Sequence, residues 1–313
     1  MAQITLENPF QQLITDCDGD SGLLQDRYEA HRSARNAQYA AKILSPNFSG
    51  WQVDGILKKL HENSNNRESQ FVDTRNNLAI WARPPRHIQE LIAEIQEEIR
   101  NVAPGLWFTP PDCLHMTTLE ITNSQTSSEI NTLVSCLEER DVVPEIIDHT
   151  LMHCIRLIRP MVNYDTSALA LSFIPAPTPS NSQTHSAADG AYTYHHLRRD
   201  VCEQVMSAGI KMNTRYTAPS AHITIARFIT QKGFQLEEAN PDKPRVDKNR
   251  VRRLIETIEV INHKLQHEYW SNENRAMISK GEWCVGQEKG LEIHGGRSWY
   301  GGGEAFHVGK GFD

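Results

Sequence analysis

The sequence has no Cys-x-x-Cys pair, no apolar run long enough to cross a bilayer and no excess of basic charge. Its six cysteines are scattered along 313 residues, which argues against a disulfide framework and for reduced thiols. No apolar segment follows a basic start, and none approaches the about 20 residues of a membrane helix. The formal net charge of -7 argues against binding of long duplex nucleic acid. We therefore expect a cytoplasmic monomer with no membrane partner.

The composition that remains is that of an ordinary globular protein. Hydrophobic residues make up 39% of the chain and charged residues 23%, which is enough to build a sizeable core. A chain of this length holds one large domain or two modest lobes. The net acidity excludes neither a small phosphate ester nor another anion, because a local cationic pocket can bind it within an acidic protein.

Periodicity and turn residues divide the chain into three parts. Residues 1–70 are predicted to be a helical N-terminal extension. Residues 71–281 are predicted to be a domain of two lobes, at 71–150 and 151–281, each with the order strand, helix, turn, strand, helix. Residues 282–313 are rich in glycine and are predicted to form a β-hairpin tail packed on this domain.

Two matched patterns stand out within the lobes. Each consists of a histidine, an apolar residue, a threonine and a further strand-forming residue, and they are His115-Met116-Thr117-Thr118 and His222-Ile223-Thr224-Ile225. Side chains at i and i+2 of a strand project to one face. Each histidine should therefore lie beside its threonine. A third match, His31-Arg32-Ser33, falls in a helical stretch, where i and i+2 do not face together, and is set aside.

These paired motifs make the sequence resemble the 2H phosphoesterase superfamily, which includes RNA ligase-like and cyclic nucleotide phosphodiesterase proteins. The resemblance covers roughly residues 70 to 270, and Thr118 stands where an apolar residue is usual. It implies an α+β fold with two pseudo-twofold lobes around a central cleft, each lobe an antiparallel sheet with helices on its outer face. The N-terminal extension and the tail lie outside it.

The resemblance also implies an activity, the metal-independent opening of a 2′,3′-cyclic phosphate on a nucleotide or RNA end. One imidazole takes a proton from water and the other protonates the leaving ribose oxygen. We assign His222 as the base and His115 as the acid, although symmetry leaves the choice nearly even. The hydroxyls of Thr117 and Thr224 donate to the non-bridging oxygens. No cofactor is expected, and the sequence shows no metal-ligand cluster.

Other side chains are candidates for binding the substrate. Aromatic residues near predicted strand ends could stack a base, and one arginine could contact phosphate; they are Trp107, Tyr164, Tyr192, Tyr216 and Arg156. Core packing is the competing interpretation for each aromatic. Arg227 should point away from His222 by strand alternation. The pair at 195–196, both histidines, is interpreted as a solvated helix face rather than as metal ligands.

Two other functions fit the same motifs. Opposed acid and base histidines could serve a lyase, an isomerase or a dehydratase that acts on a metabolite without phosphate. A non-catalytic module that binds RNA ends is the second alternative. The stretch Pro175 to Gly190 is interpreted either as a lid over the cleft or as a disordered insertion.

Overall fold

The computed structural model describes residues 7–65, 71–153, 155–177, 192–212, 217–236, 245–270, 280–297 and 299–312. Tyr216 and most of the Pro175 to Gly190 stretch lie outside these ranges, so the predictions for them have no structural counterpart. Among the helices of the described ranges, none combines the length and apolarity needed to cross a membrane. The cytoplasmic location stays a prediction.

Side-chain caps mark the start of several helices. Asp20 accepts a hydrogen bond from the Leu23 amide at the start of the longest helix, and Thr126 forms a capping box with Glu129. The helices of the described residues are α1 (Gln11–Asp16), α2 (Ser21–Ile43), α3 (Gly55–Asn65), α4 (Arg86–Arg100), α5 (Ser127–Glu139), α6 (Val143–Ile147), α7 (His149–Met152), α8 (Tyr194–Ser207) and α9 (Lys248–Glu268). The long helices predicted from apolar spacing are present.

The strands form one antiparallel sheet, so the predicted mixed α+β class is confirmed. They are β1 (Asn76–Ala82), β2 (Leu106–Phe108), β3 (Met116–Gln125), β4 (Ile155–Tyr164), β5 (Ala168–Ala176), β6 (Ala221–Phe228), β7 (Trp283–Val285), β8 (Lys289–Gly296) and β9 (Glu304–Lys310). The order across the curled sheet is β7-β4-β5-β6-β3-β1-β8-β9, and β2 also pairs with β6. The two motif strands are therefore neighbours at the centre: β3 begins just after His115, and β6 contains His222.

The tail contributes strands to this sheet, and the N-terminal extension packs against it. The tail adds β7 to the edge strand β4, and adds the hairpin of β8 and β9 to β1. At the other terminus, α2 packs on β4 and β5. Asn36 of α2 donates to the Val162 carbonyl at 3.0 Å, and Asn163 donates to the Arg32 carbonyl at 3.0 Å. The helical extension thus lies against the half of the sheet that carries β6.

The histidines at the start of α8 are buried, so the predicted solvated helix face is wrong. His195 is held between the Tyr28 hydroxyl at 2.9 Å and the Phe10 carbonyl at 3.0 Å. The Thr193 hydroxyl lies 3.0 Å from Nδ1 of His196. The residues that bury His195 stand 167 and 185 positions earlier in the chain, so no local pattern indicates this burial.

Candidate functional site

The two motifs meet at one point of the sheet. A single bridge joins β3 to β6, and it pairs Met116 with Ile223. In an antiparallel pair this register sets His115 opposite Thr224 and, one step further, Thr117 opposite the second histidine. Met116 and Ile223 are 1% and 0% exposed. Because side chains alternate across a strand, the four motif side chains project to the opposite face.

That face forms a cavity of about 470 Å³. Both histidines and both threonines of the motifs line it. Its volume lies within the range of ~300–1,000 Å³ that is typical of small-molecule sites. The cavity therefore has room for a nucleotide-sized ligand around the two motifs.

A β-bulge follows the first motif. Strand β1 pairs with Thr117 and next with Leu119, which leaves Thr118 as the extra residue on β3. A bulge of one residue reverses the alternation of the strand beyond it. Glu120 therefore lies on the cavity face, and it lines the cavity. Thr118 itself is buried, as the apolar residue of the usual pattern would be.

A matching bulge follows the second motif. Strand β5 pairs with Thr224 and next with Ala226, which leaves Ile225 as the extra residue on β6. The fourth residue of each motif is thus the bulged one. Arg227 consequently lines the cavity, and its predicted outward orientation is wrong. Regular alternation fails here because it cannot anticipate an inserted residue.

His115 is oriented by its backbone and by a neighbouring indole. Its Nδ1 donates to the Cys113 carbonyl at 2.8 Å, which leaves Nε2 as the nitrogen available to a ligand. The Trp81 ring stacks on its imidazole with ring centroids 3.7 Å apart and 15° between the planes. Burial lowers the pKa of His115 to about 3, although the Cys113 carbonyl acts in the opposite direction.

The indole is sandwiched between two histidines. The opposite face of Trp81 stacks on His294 of β8, with centroids 3.8 Å apart. Nε2 of His294 donates to the Gly302 carbonyl at 3.1 Å, which anchors the ring to the tail. Sequence reasoning missed both Trp81 and His294, because their contact arises only from the pairing of β1 with β8.

His222 is set in a more cationic environment. Its Nδ1 lies 3.0 Å from the Ser220 hydroxyl, which can donate to that nitrogen or accept from it. Burial lowers the pKa of His222 to about 4, and the guanidinium groups of the cavity lower it further. Both motif histidines are therefore neutral at pH 7 in the free protein.

The cavity contains more basic than acidic side chains. Its charged lining consists of four arginines and two carboxylates, which are Arg32, Arg35, Arg198, Arg227, Glu120 and Asp165. Arg198 is 2% exposed and donates to the carbonyls of Thr118 at 3.1 Å and Ala218 at 2.7 Å. Such an excess of guanidinium groups favours an anionic ligand.

The N-terminal extension supplies part of this lining. His31 and Arg35 stand at i and i+4 of α2 and therefore share one helix face. Both line the cavity. Arg35 binds Oδ2 of Asp165 at 2.7 Å. His31 is helical, as predicted, yet it lies in the same cavity as the two motif histidines.

The predicted substrate-binding residues divide into two groups. Trp107 and Tyr164 line the cavity. Tyr192 lies elsewhere, where its hydroxyl donates to Asp200 at 2.8 Å. Arg156 is on β4 beside β7, paired with Glu282 and donating to the Pro177 carbonyl at 2.9 Å. The last two residues serve local contacts, and their position does not support a role in substrate binding.

One end of the cavity has an aromatic lining that the sequence indicated only in part. Trp107 pairs with Arg227 across β2 and β6. Tyr300 of the tail meets Trp107 edge-on at a centroid distance of 6.2 Å and lies 5.4 Å from the Arg227 guanidinium. Its hydroxyl donates to Asp54 at 2.8 Å. Tyr300 is brought here by the tail, in which no sequence motif indicates a binding site.

Comparisons with known proteins add little to this geometry. No family model and no curated protein matches the chain. Among solved structures, it is similar to the crystal structure of a conserved protein of unknown function from Agrobacterium tumefaciens, with 12% identity and a TM-score of 0.43. The match covers 73% of this chain and 87% of the other. In the described residues, no group of three or more His, Cys, Asp or Glu side chains is placed to hold a metal ion.

Proposed function

We propose that the protein is a metal-independent cyclic phosphodiesterase that opens the 2′,3′-cyclic phosphate of a nucleotide or of an RNA end. One observation carries the proposal: the Met116–Ile223 bridge sets both histidine–threonine pairs on one face of an arginine-lined cavity. The reacting phosphate would lie between the two imidazoles, with the cationic lining balancing its charge. The proposed partner is a small phosphorylated nucleotide or an RNA end rather than a long duplex.

We also propose that the domain is built from two pseudo-twofold lobes. The strand order supports this, because β7-β4-β5-β6 lie on one side of the central bridge and β3-β1-β8-β9 on the other. The two bulges support it further, because each displaces the fourth residue of its motif, Thr118 in one half and Ile225 in the other. A local twofold axis through the bridge would interchange the two motifs.

The hydrogen bonds favour His115 as the base and His222 as the acid, which reverses the assignment made from the sequence. A carbonyl can only accept, so Cys113 fixes the neutral His115 with its proton on Nδ1 and a lone pair on Nε2. That nitrogen would take the proton of the attacking water as its oxygen bonds to phosphorus. His222 would give its proton to the ribose oxygen that leaves phosphorus.

The acid must acquire its proton when the substrate binds. Burial and three neighbouring arginines lower the pKa of His222, so the free cavity holds it neutral. An anionic phosphate beside the imidazole favours the charged form and raises that pKa. The proposed reaction therefore couples substrate binding to proton uptake at His222.

The test is hydrolysis of a panel of 2′,3′-cyclic nucleotides and RNA ends with a cyclic phosphate, in EDTA and in ¹⁸O-labelled water. We expect turnover that EDTA does not reduce, with one labelled oxygen in the phosphate monoester product. Tight binding without turnover would instead favour the RNA-end binding module. No binding and no turnover, with both histidines still required in cells, would favour a lyase, isomerase or dehydratase.

The threonine hydroxyls should matter chiefly in the transition state. Thr117→Val and Thr224→Val each remove a donor to the oxygens on which negative charge grows, so kcat should fall about 10²-fold, with a smaller change in KM. Thr132→Val, at an exposed position of α5, is the matched control and should leave both constants unchanged. A rise in KM of about 10²-fold with no fall in kcat would contradict the oxyanion role.

A further inference from the structure

Two arginines from different parts of the chain converge at one end of the cavity. Arg227 is in register with Ala168 on β5 and with Trp107 on β2. Asp165, whose carboxylate accepts from the Ala168 amide at 2.9 Å, also binds Arg35 of α2 at 2.7 Å. Both guanidinium groups therefore lie around the same turn, beyond the end of the motif on β6.

These arginines are held by carboxylates that already have other donors. Oδ1 of Asp165 accepts from the amide and the hydroxyl of Ser167, both at 2.7 Å, so only Oδ2 binds Arg35. The bond to Asp165 uses one of the three guanidinium nitrogens of Arg35, whose side chain is 44% exposed. Arg227 stands 3.9 Å from Asp54, which does not line the cavity. The carboxylates thus position the arginines and leave guanidinium edges for a ligand.

The reacting group alone does not require this end of the cavity. A cyclic phosphate diester carries a single negative charge, and the buried Arg198, which donates to the carbonyls of Thr118 and Ala218, already lies beside both motifs. Arg227 lies at the opposite end of β6, next to the rings of Trp107 and Tyr300. Arg35 reaches the cavity from α2 through its bond to Asp165, and its charge also acts on His222. Their fork-shaped guanidinium groups match the geometry of phosphoryl oxygens.

We propose that Arg35 and Arg227 bind a second phosphoryl group of the substrate, distinct from the one that reacts. This inference rests on the proposed function and narrows its substrate class to cyclic phosphates that carry a further phosphate. That phosphate is either a terminal monoester or an internal diester of an RNA end. A base would lie against Trp107 and Tyr300. The helical extension, which the family resemblance does not cover, then acts in substrate selection.

Binding of product-like ligands tests the inference without requiring turnover. Calorimetry would compare a nucleoside 3′-monophosphate, the corresponding 3′,5′-bisphosphate and a dinucleotide with a 3′-phosphate. We expect the wild type to bind the bisphosphate or the dinucleotide at least about tenfold more tightly than the monophosphate, with the preference falling as salt rises. The tighter of the two identifies the second group as a monoester or a diester.

Variants assign this preference to the two arginines. Arg35→Gln and Arg227→Gln should each remove most of this preference, because they should weaken binding of the bisphosphate and the dinucleotide more than binding of the monophosphate. Arg27→Gln, at an exposed position two turns earlier on α2, should behave as wild type. Equal affinity of the wild type for all three ligands, or an equal loss for all three in Arg35→Gln, would overturn the inference. Hydrolysis of the cyclic ligand, measured in parallel, tests the proposed function separately.

Discussion

His115→Gln and His222→Gln should each lower kcat/KM toward a 2′,3′-cyclic nucleotide by about 10²–10⁴-fold, the usual contribution of a positioned acid or base. Glutamine is neutral, as both motif histidines are at pH 7, so no charge is lost from the cavity. The measurement is steady-state hydrolysis alongside urea unfolding, which should show intact folding.

An activated ester separates the two roles. With a p-nitrophenolate leaving group, departure needs no proton, so loss of the acid becomes harmless while loss of the base does not. We therefore expect His222→Gln to recover activity on a p-nitrophenyl phosphodiester and His115→Gln to stay inactive. Recovery in His115→Gln alone would restore the assignment made from the sequence.

His263→Gln, at an exposed position of α9, is the control for both substrates. It makes the same chemical change outside the cavity, so its activity should equal that of the wild type. Full activity in either motif variant would contradict acid–base catalysis by this pair. It would leave the bridge between Met116 and Ile223 as a structural feature of the sheet alone.

The features that the sequence could predict are those set by short-range periodicity. Apolar spacing of 3.6 residues located α4 and α9, and alternation located the strands that carry the motifs. Within each motif the period of two set the histidine and threonine on one face. A prediction of this kind needs only a few consecutive residues, because the backbone geometry repeats along them.

The features that it could not predict depend on register or on distant segments. A bulge at Ile225 turned Arg227 into the cavity, although strict alternation directs it outward. Trp81 stacks between His115 and His294 only because β1 pairs with β3 on one side and with β8 on the other. The approach of Arg35 depends on where α2 crosses β4 and β5. No periodic pattern of residues in the sequence predicts these arrangements.

Aromatic residues show the same division. Trp107 and Tyr192 are both aromatic residues near predicted strand ends or loops, yet of the two only Trp107 lines the cavity. Tyr192 instead donates to Asp200 and accepts the stacking of His153 at a centroid distance of 4.1 Å. Position near a strand end is therefore a weak indicator of ligand contact, since local polar partners compete for the ring and its hydroxyl.

The protein should lose much of its stability between pH 7 and pH 5. Burial lowers the pKa of five histidines to about 3 or 4 in the folded protein, and these are His115, His195, His196, His222 and His294. In the unfolded chain they regain a pKa near about 6.5. Below that pH the unfolded state binds more protons than the folded state, so the free energy of unfolding falls as the pH falls.

The size of the effect follows from the pKa differences. Between pH 7 and pH 5 each such histidine contributes a loss on the order of 1–2 kcal/mol. Five together approach the roughly 5–15 kcal/mol by which a typical domain is stable. Salt-bridged carboxylates whose pKa is lowered, such as Asp73 and Asp165, act in the same direction but only below about pH 4. Urea unfolding at pH 7, 6 and 5 measures how steeply the free energy of unfolding falls with pH.

His195 allows the cause to be separated from general acid sensitivity. It is fully buried, with both ring nitrogens bonded to neighbours in the N-terminal segment. His195→Gln should be less stable at pH 7 because those bonds are disturbed. Between pH 7 and pH 5, however, its free energy of unfolding should fall by about 1 kcal/mol less than that of the wild type, since one proton-binding difference is gone. The free energy of unfolding of His263→Gln should fall as much as that of the wild type over the same pH range. If the free energy of unfolding of His195→Gln fell as much as that of the wild type, this imidazole would already be protonated in the folded protein. Its burial would then not be a source of the stability lost in acid.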